Sequence, residues 1–148
     1  VNTRIIEGEN LKKDLLSKLD NMSEIVAFIE KRSPEIIKEY RSKLENKVAE
    51  LLKDTTIDEN RIATEVCILA DKATVDEEII RLNSHINQVR ETLKLNEPIG
   101  RKLDFIVQEM NRETNTIGSK ANNLEITNGV IDIKTELEDI REQTQNIE

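Results

Sequence analysis

Ile126, Val130, Ile133, Leu137, Ile140, Thr144 and Ile147 follow one another at steps of four and three without a fault. A stripe of that period lines one side of an α-helix and no side of a strand, so another helix must cover it. Similar stripes recur along the chain. Leu11, Leu15, Leu19, Met22, Val26 and Ile29 form one, and Ile37, Tyr40, Leu44, Val48 and Leu51 another. Ile62, Val66, Leu69 and Ala73 form a third, and Ile79, Leu82, Ile86, Val89 and Leu93 a fourth, out of phase with the third. Leu103, Ile106, Met110 and Ile117 make the fifth. Phe28, Tyr40 and Phe105 are the only aromatics, so any core is aliphatic. With 35% charged residues the long helices expose much surface. The expected fold is all-α, an extended helical bundle or coiled-coil-like hairpins of about five helices.

Local signals divide the stripes. Ser33-Pro34-Glu35 reads as a stop and restart, with Ser33 capping a new helix and Pro34 at its first position, so the first two stripes are expected to form an antiparallel hairpin. Asp58 is a candidate cap for the next helix. The Asp76-Glu77-Glu78 cluster marks a kink or a fresh start. Lys94 to Gly100 is a short loop on which the chain can fold back. Asn122-Asn123 precedes the last helix, for which Thr127 or Asn128 is the expected cap and Gly129 a mild blemish. The amide-rich end, Arg141 to Asn146, fits either a frayed last turn or a docked terminus. Two regions follow: 1–75, a helical hairpin and the start of a third long helix, and 76–148, which carries the densest motifs.

The net charge of −8 argues against uniform nucleic-acid binding, because phosphate affinity comes from concentrated Lys and Arg. The charge is uneven. Residues 1–78 carry 13 basic and 18 acidic side chains, residues 79–123 carry 7 and 5, and residues 124–148 carry 2 and 7. Only the middle window is net positive. Cys67 is the single cysteine, expected on an apolar face as a small hydrophobe, and it allows no intrachain disulfide. No apolar run approaches the roughly 18 residues of a membrane span. The simplest expectation is a cytoplasmic protein with no membrane partner.

The polar anomaly lies between Pro98 and Lys120, where Glu113 fills the slot between Met110 and Ile117 and Glu109 borders the same stripe. Carboxylates spaced i, i+4 repel, and turning one inward is costly unless a cation answers it. Two answers are open: an Arg or Lys from a neighbouring helix, or a divalent metal ion, which favours hard carboxylate oxygens. Asp104, five residues before Glu109, faces another direction. Upstream, Glu77 or Glu78, Arg81 and His85 share the border of their stripe, and a fold at the Lys94–Gly100 loop would bring them beside Glu109 and Glu113. Ser84 and His85 are helix neighbours and cannot form a nucleophile–base pair. Phe105, between Leu103 and Ile106, is expected to pack in the core.

The segments GRKLDF (Gly100–Phe105), QEMNRETNT (Gln108–Thr116) and Ser119-Lys120 resemble the motifs of the YicC/YloC family of bacterial endoribonucleases. The resemblance continues in EEIIRLNSHI (Glu77–Ile86) and IREQTQNIE (Ile140–Glu148), with a fainter echo at Arg4, Glu7, Gly8 and Leu11. It implies an RNA-cleaving enzyme dependent on a divalent cation, Mn²⁺ or Mg²⁺, with RNA as substrate. It also implies a homo-oligomer, a hexamer being one form open to the full-length protein. Family members are considerably longer, so the chain is expected to be a C-terminal part. On positions matching the motifs, Glu109, Glu113 and His85 are the expected catalytic residues. Glu109, Glu113, Asp104 and His85 are the expected metal ligands. Arg81, Arg101, Lys102, Arg112, Lys120, Asn111 and Asn115 are the expected RNA contacts. The competing reading, drawn from composition alone, is a non-catalytic helical oligomerisation or adaptor module.

Overall fold

The computed structural model describes residues 2–51, 58–95 and 99–147, with side chains for 8–51, 58–95 and 99–145. Five helices follow in order: α1 (Asn2–Leu51), α2 (Glu59–Ala73), α3 (Asp76–Leu93), α4 (Gly100–Lys120) and α5 (Leu124–Ile147). Among the described residues there is no strand, as the periodicity of the stripes requires.

One boundary differs from expectation. The chain does not turn at Ser33-Pro34-Glu35, and α1 runs through Pro34 as one helix of 50 residues, about 75 Å long at 1.5 Å per residue. A proline inside a helix forfeits one backbone hydrogen bond and crowds the preceding turn. Here Pro34 lies on the exposed side, where water can solvate the freed carbonyl. Ser33 does not cap a new helix; its hydroxyl donates back to the Ile29 carbonyl at 2.8 Å. Arg32 braces the same turn, reaching Glu39 at 2.9 Å, Glu35 at 3.4 Å and Glu125 of α5 at 3.4 Å. The expected hairpin is made instead by α1 and α2, which pack on each other. Thr55 to Ile57 of the expected break lie outside the described residues, but Asp58 does cap α2, its Oδ1 accepting from the Asn60 and Arg61 amides at 3.1 and 3.2 Å.

α3 starts afresh after Thr74 and the buried Val75. Asp76, Glu77 and Glu78 occupy its first turn, where carboxylates complement the helix dipole. Asn123, rather than Thr127 or Asn128, caps α5: its Oδ1 accepts from the Glu125 and Ile126 amides at 2.9 and 3.2 Å.

The N-terminal part of α1 joins α3, α4 and α5 in a four-helix bundle, with α1 and α4 each lying between α3 and α5. All neighbours run antiparallel, as the pairs Arg32–Glu125 and Asp14–Gln143 show for α1 and α5. One continuous core holds Leu15, Leu19, Met22, Val26 and Ile29 of α1 against Leu82 and Ile86 of α3, Leu103 and Met110 of α4, and Ile126, Ile133 and Ile140 of α5. This core spans both sides of residue 75. Gly129 is more than a blemish. It is buried, and a Cβ there would sit 3.2 Å from Ile25 Cγ2, so its bare backbone lets α1 approach α5 closely. Of the amide-rich end, the described side chains of Arg141, Gln143 and Thr144 are docked. Thr144 is 1% exposed, Gln143 donates to Asp14 at 2.7 Å, and Arg141 pairs with Asp104 at 3.6 Å. Cys67 is exposed, against expectation, because α2 lays Ile62 inward and leaves Cys67 on its outer side. Among the described residues no helix is long and apolar enough to cross a membrane.

Candidate functional site

Residues 96–98 of the expected Lys94–Gly100 loop lie outside the described residues, but α4 runs back along α3, and the borders of their two stripes meet in a polar seam. Lys120 and Glu78 form its first rung at 2.6 Å. One turn further along α3, Arg81 donates through Nε to Glu113 Oε1 at 2.9 Å. Arg81 also lies 3.7 Å from Glu78 and 3.6 Å from Glu77. Counted one turn further in the same antiparallel register, the next pair of positions is His85 and Glu109, both half-buried. They are not joined to each other. The His85 ring nitrogen Nδ1 shares its hydrogen bond with Gln88 at 3.2 Å, along its own helix.

The cation that Glu113 required is therefore an arginine. Glu113 is only 8% exposed and Glu78 only 3%, and each has a charged partner, as buried carboxylates need. Burial alone would raise the Glu78 pKa. The Lys120 ammonium, with the Glu78 backbone amide and Arg81, outweighs it and holds the carboxyl below its ordinary 4.5. The Arg81 guanidinium is in turn held more firmly protonated, chiefly by its hydrogen bond to Glu113. Glu78 Oε2 is buried without a partner among the described residues, so one oxygen carries the whole contact with Lys120.

The expected site residues separate into three groups. Arg81, Glu113 and Lys120 come together along the seam with Glu78, and His85 and Glu109 hold the next positions in its register. Arg101, Lys102, Arg112 and Asn115 lie exposed on α4, and among the described residues the three cations join no ion pair. Asp104 and Asn111 face away: Asp104 is held by Gln108 at 3.1 Å and Arg141 at 3.6 Å. Asn111 lines a small cleft with Leu137 and Arg141 of α5.

This sorting bears on the metal ion. Of the four expected ligands, Glu113 is taken by Arg81, Asp104 points to α5, and His85 bonds Gln88. Among the described residues no three His, Cys, Asp or Glu side chains gather as a cation site. The donor set does not fit a divalent ion. Two residues depart from the sequence expectation. Glu78 is the deeper of the two buried carboxylates, and its spacing of three residues from Arg81 is the signal that points to it. Phe105 is 64% exposed rather than in the core, because its place beside Leu103 and Ile106 in the chain is not a place beside them on the helix surface.

Residues 29–148 match the family model described as endoribonuclease YicC-like, C-terminal. The chain belongs to this family. The YicC-like match includes the whole of α3, α4 and the seam between them, and begins within α1. The chain is also similar to the probable endoribonuclease YicC of Clostridioides difficile, 51% identical over 143 residues. It is 34% identical over 142 residues to the probable endoribonuclease YicC of Haemophilus influenzae. Both alignments cover 96% of this chain and 49% of the relative, so the chain spans about half the length of the curated relatives it matches.

Proposed function

We propose that this chain is the C-terminal part of an endoribonuclease that cuts RNA internally, and that RNA meets it along the α3–α4 seam and the exposed face of α4. The observation that supports this reading most is the convergence of two sequence motifs, on the consecutive helices α3 and α4, on one seam. Arg101, Lys102 and Arg112 hold phosphates by charge, and Asn115 beside them bonds ribose or phosphate. Arg81 and Lys120, already paired, orient the seam's carboxylates.

His85 and Glu109 are the proton carriers of this reading. One takes a proton from the attacking hydroxyl as the new P–O bond forms, and the other gives a proton to the departing oxygen as the old P–O bond breaks. Glu113 keeps Arg81 in place beside them and is a positioning residue. Dependence on Mn²⁺ or Mg²⁺ and assembly of several copies around RNA belong to the proposal for the whole protein. No step here runs through a metal ion.

The test is cleavage of an end-labelled structured RNA with Mn²⁺ or Mg²⁺, beside a chelator control and the variants His85→Ala and Glu109→Gln. Both variants should keep their helix content and lose cleavage by about a hundredfold or more, the usual weight of a general acid or base. Undiminished cutting by both would make the two residues structural. The second reading, a non-catalytic helical module, is favoured by one observation: Glu78, Arg81, Glu113 and Lys120 already pair with one another. It predicts RNA or protein binding with no cut products at all.

A further inference from the structure

We propose that Phe105 is a stacking platform for an unpaired RNA base, seated in the groove between α3 and α4. The inference rests on the RNA reading and adds its substrate class, single-stranded or looped RNA rather than continuous duplex. The buried stripe of α4 is complete without Phe105, since Leu103, Ile106, Val107 and Met110 already fill it. The ring instead stands 64% exposed, in a chain with three aromatics.

What surrounds the ring decides between occupants. Phe105, Ile106 and Lys102 of α4 line a groove of about 750 Å³ with Ser84, Asn87 and Gln88 of α3. The apolar wall suits the face of a base, the amides suit its edges, and Lys102 suits a phosphate. Arg101 lies one turn before Phe105 on α4 and Arg112 two turns after it, so the ring sits between cations that a backbone on either side of the base would reach. Glu91, on the opposite wall, is paired with Lys94 at 3.1 Å. An apolar protein side chain would use the ring and leave the cations and amides idle. A nucleotide uses all three. Gln88, which lines the groove, also holds His85, so a base stacked on Phe105 brings its neighbouring phosphates toward the seam.

The experiment titrates the 148-residue chain with two RNAs: a hairpin whose loop carries the fluorescent base 2-aminopurine, and a blunt duplex of the same length. Wild type should bind the hairpin and quench the loop base. Phe105→Leu should bind the hairpin about tenfold more weakly without quenching and bind the duplex unchanged. Phe105→Trp should restore both affinity and quenching. Equal hairpin binding and quenching by wild type and Phe105→Leu would overturn the platform and leave the RNA reading standing. Weakened binding of both RNAs alike, or a changed oligomeric state on sedimentation, would also overturn it and make Phe105 a folding or copy-to-copy contact. If wild type binds neither RNA, the RNA reading fails and takes the platform with it.

Discussion

Burial alone would drive the Glu78 carboxyl to take up a proton; Lys120, with Arg81 behind it, keeps it charged. Because its folded pKa is depressed, Glu78 contributes stability that is fully present above its ordinary 4.5 and is lost as pH falls through the lower folded value. Lys120→Met removes the main cation and leaves a buried carboxylate underserved, at a cost of about 1–3 kcal/mol near pH 7. In the variant the strongest of the lowering influences is gone, so the carboxyl takes up its proton at a higher pH than in wild type. The stability gap between wild type and variant, measured by urea unfolding from about pH 7 to about pH 3, should therefore narrow as pH falls through 4.5 and below. A gap constant over that range would mean that Lys120 does not govern Glu78. At this scale the sequence is half legible. The need for a cation at Glu113 follows from its place in an apolar stripe. That Arg81 supplies it, and that Lys120 is spent on Glu78 instead of remaining open to phosphate, depends on the register of α3 against α4, which no residue encodes by itself.

Whole elements are more legible than their ends. The stripes of α3, α4 and α5 mark the buried faces because a period of three and four admits one structure. Asp58 is legible as a cap because a carboxylate before a helix has a strong local job. Pro34 misleads for the opposite reason: a local signal that usually ends a helix is overridden by the packing of Leu15 to Ile29 on one side and of α2 on the other. Phe105 is misplaced by adjacency, since it lies five residues, or about 140° of rotation, from Met110 at the centre of the buried stripe. If α1 is continuous, Pro34→Ala restores a backbone hydrogen bond and relieves crowding. Less the entropy that proline removes from the unfolded chain, the gain should be about 1–2 kcal/mol in urea unfolding, with an unchanged circular dichroism spectrum. Destabilisation would point to a turn at Ser33-Pro34 that needs the proline.

Across the whole molecule the acidic balance is unevenly spread. A net charge of −8 is compatible with RNA binding because Arg101, Lys102 and Arg112 are exposed along one helix, while other basic side chains, among them Lys18, Arg32, Arg90 and Arg141, are engaged with carboxylates. The long α1 ties this surface to the α1–α2 hairpin, which stands beyond the core formed by Leu15 to Ile29. The measurement that tests the central claim most directly is binding of a labelled structured RNA across a salt series. It compares wild type, Arg101→Glu/Arg112→Glu, and Lys38→Glu/Lys47→Glu, which makes the same charge change at two exposed positions of α1. Wild type and the α1 variant should bind alike and weaken with salt. The α4 variant should bind at least about tenfold more weakly, with a salt slope shallower by about one for each phosphate it no longer neutralises. Equal binding by all three would contradict the account, because RNA would then meet the protein somewhere other than α4.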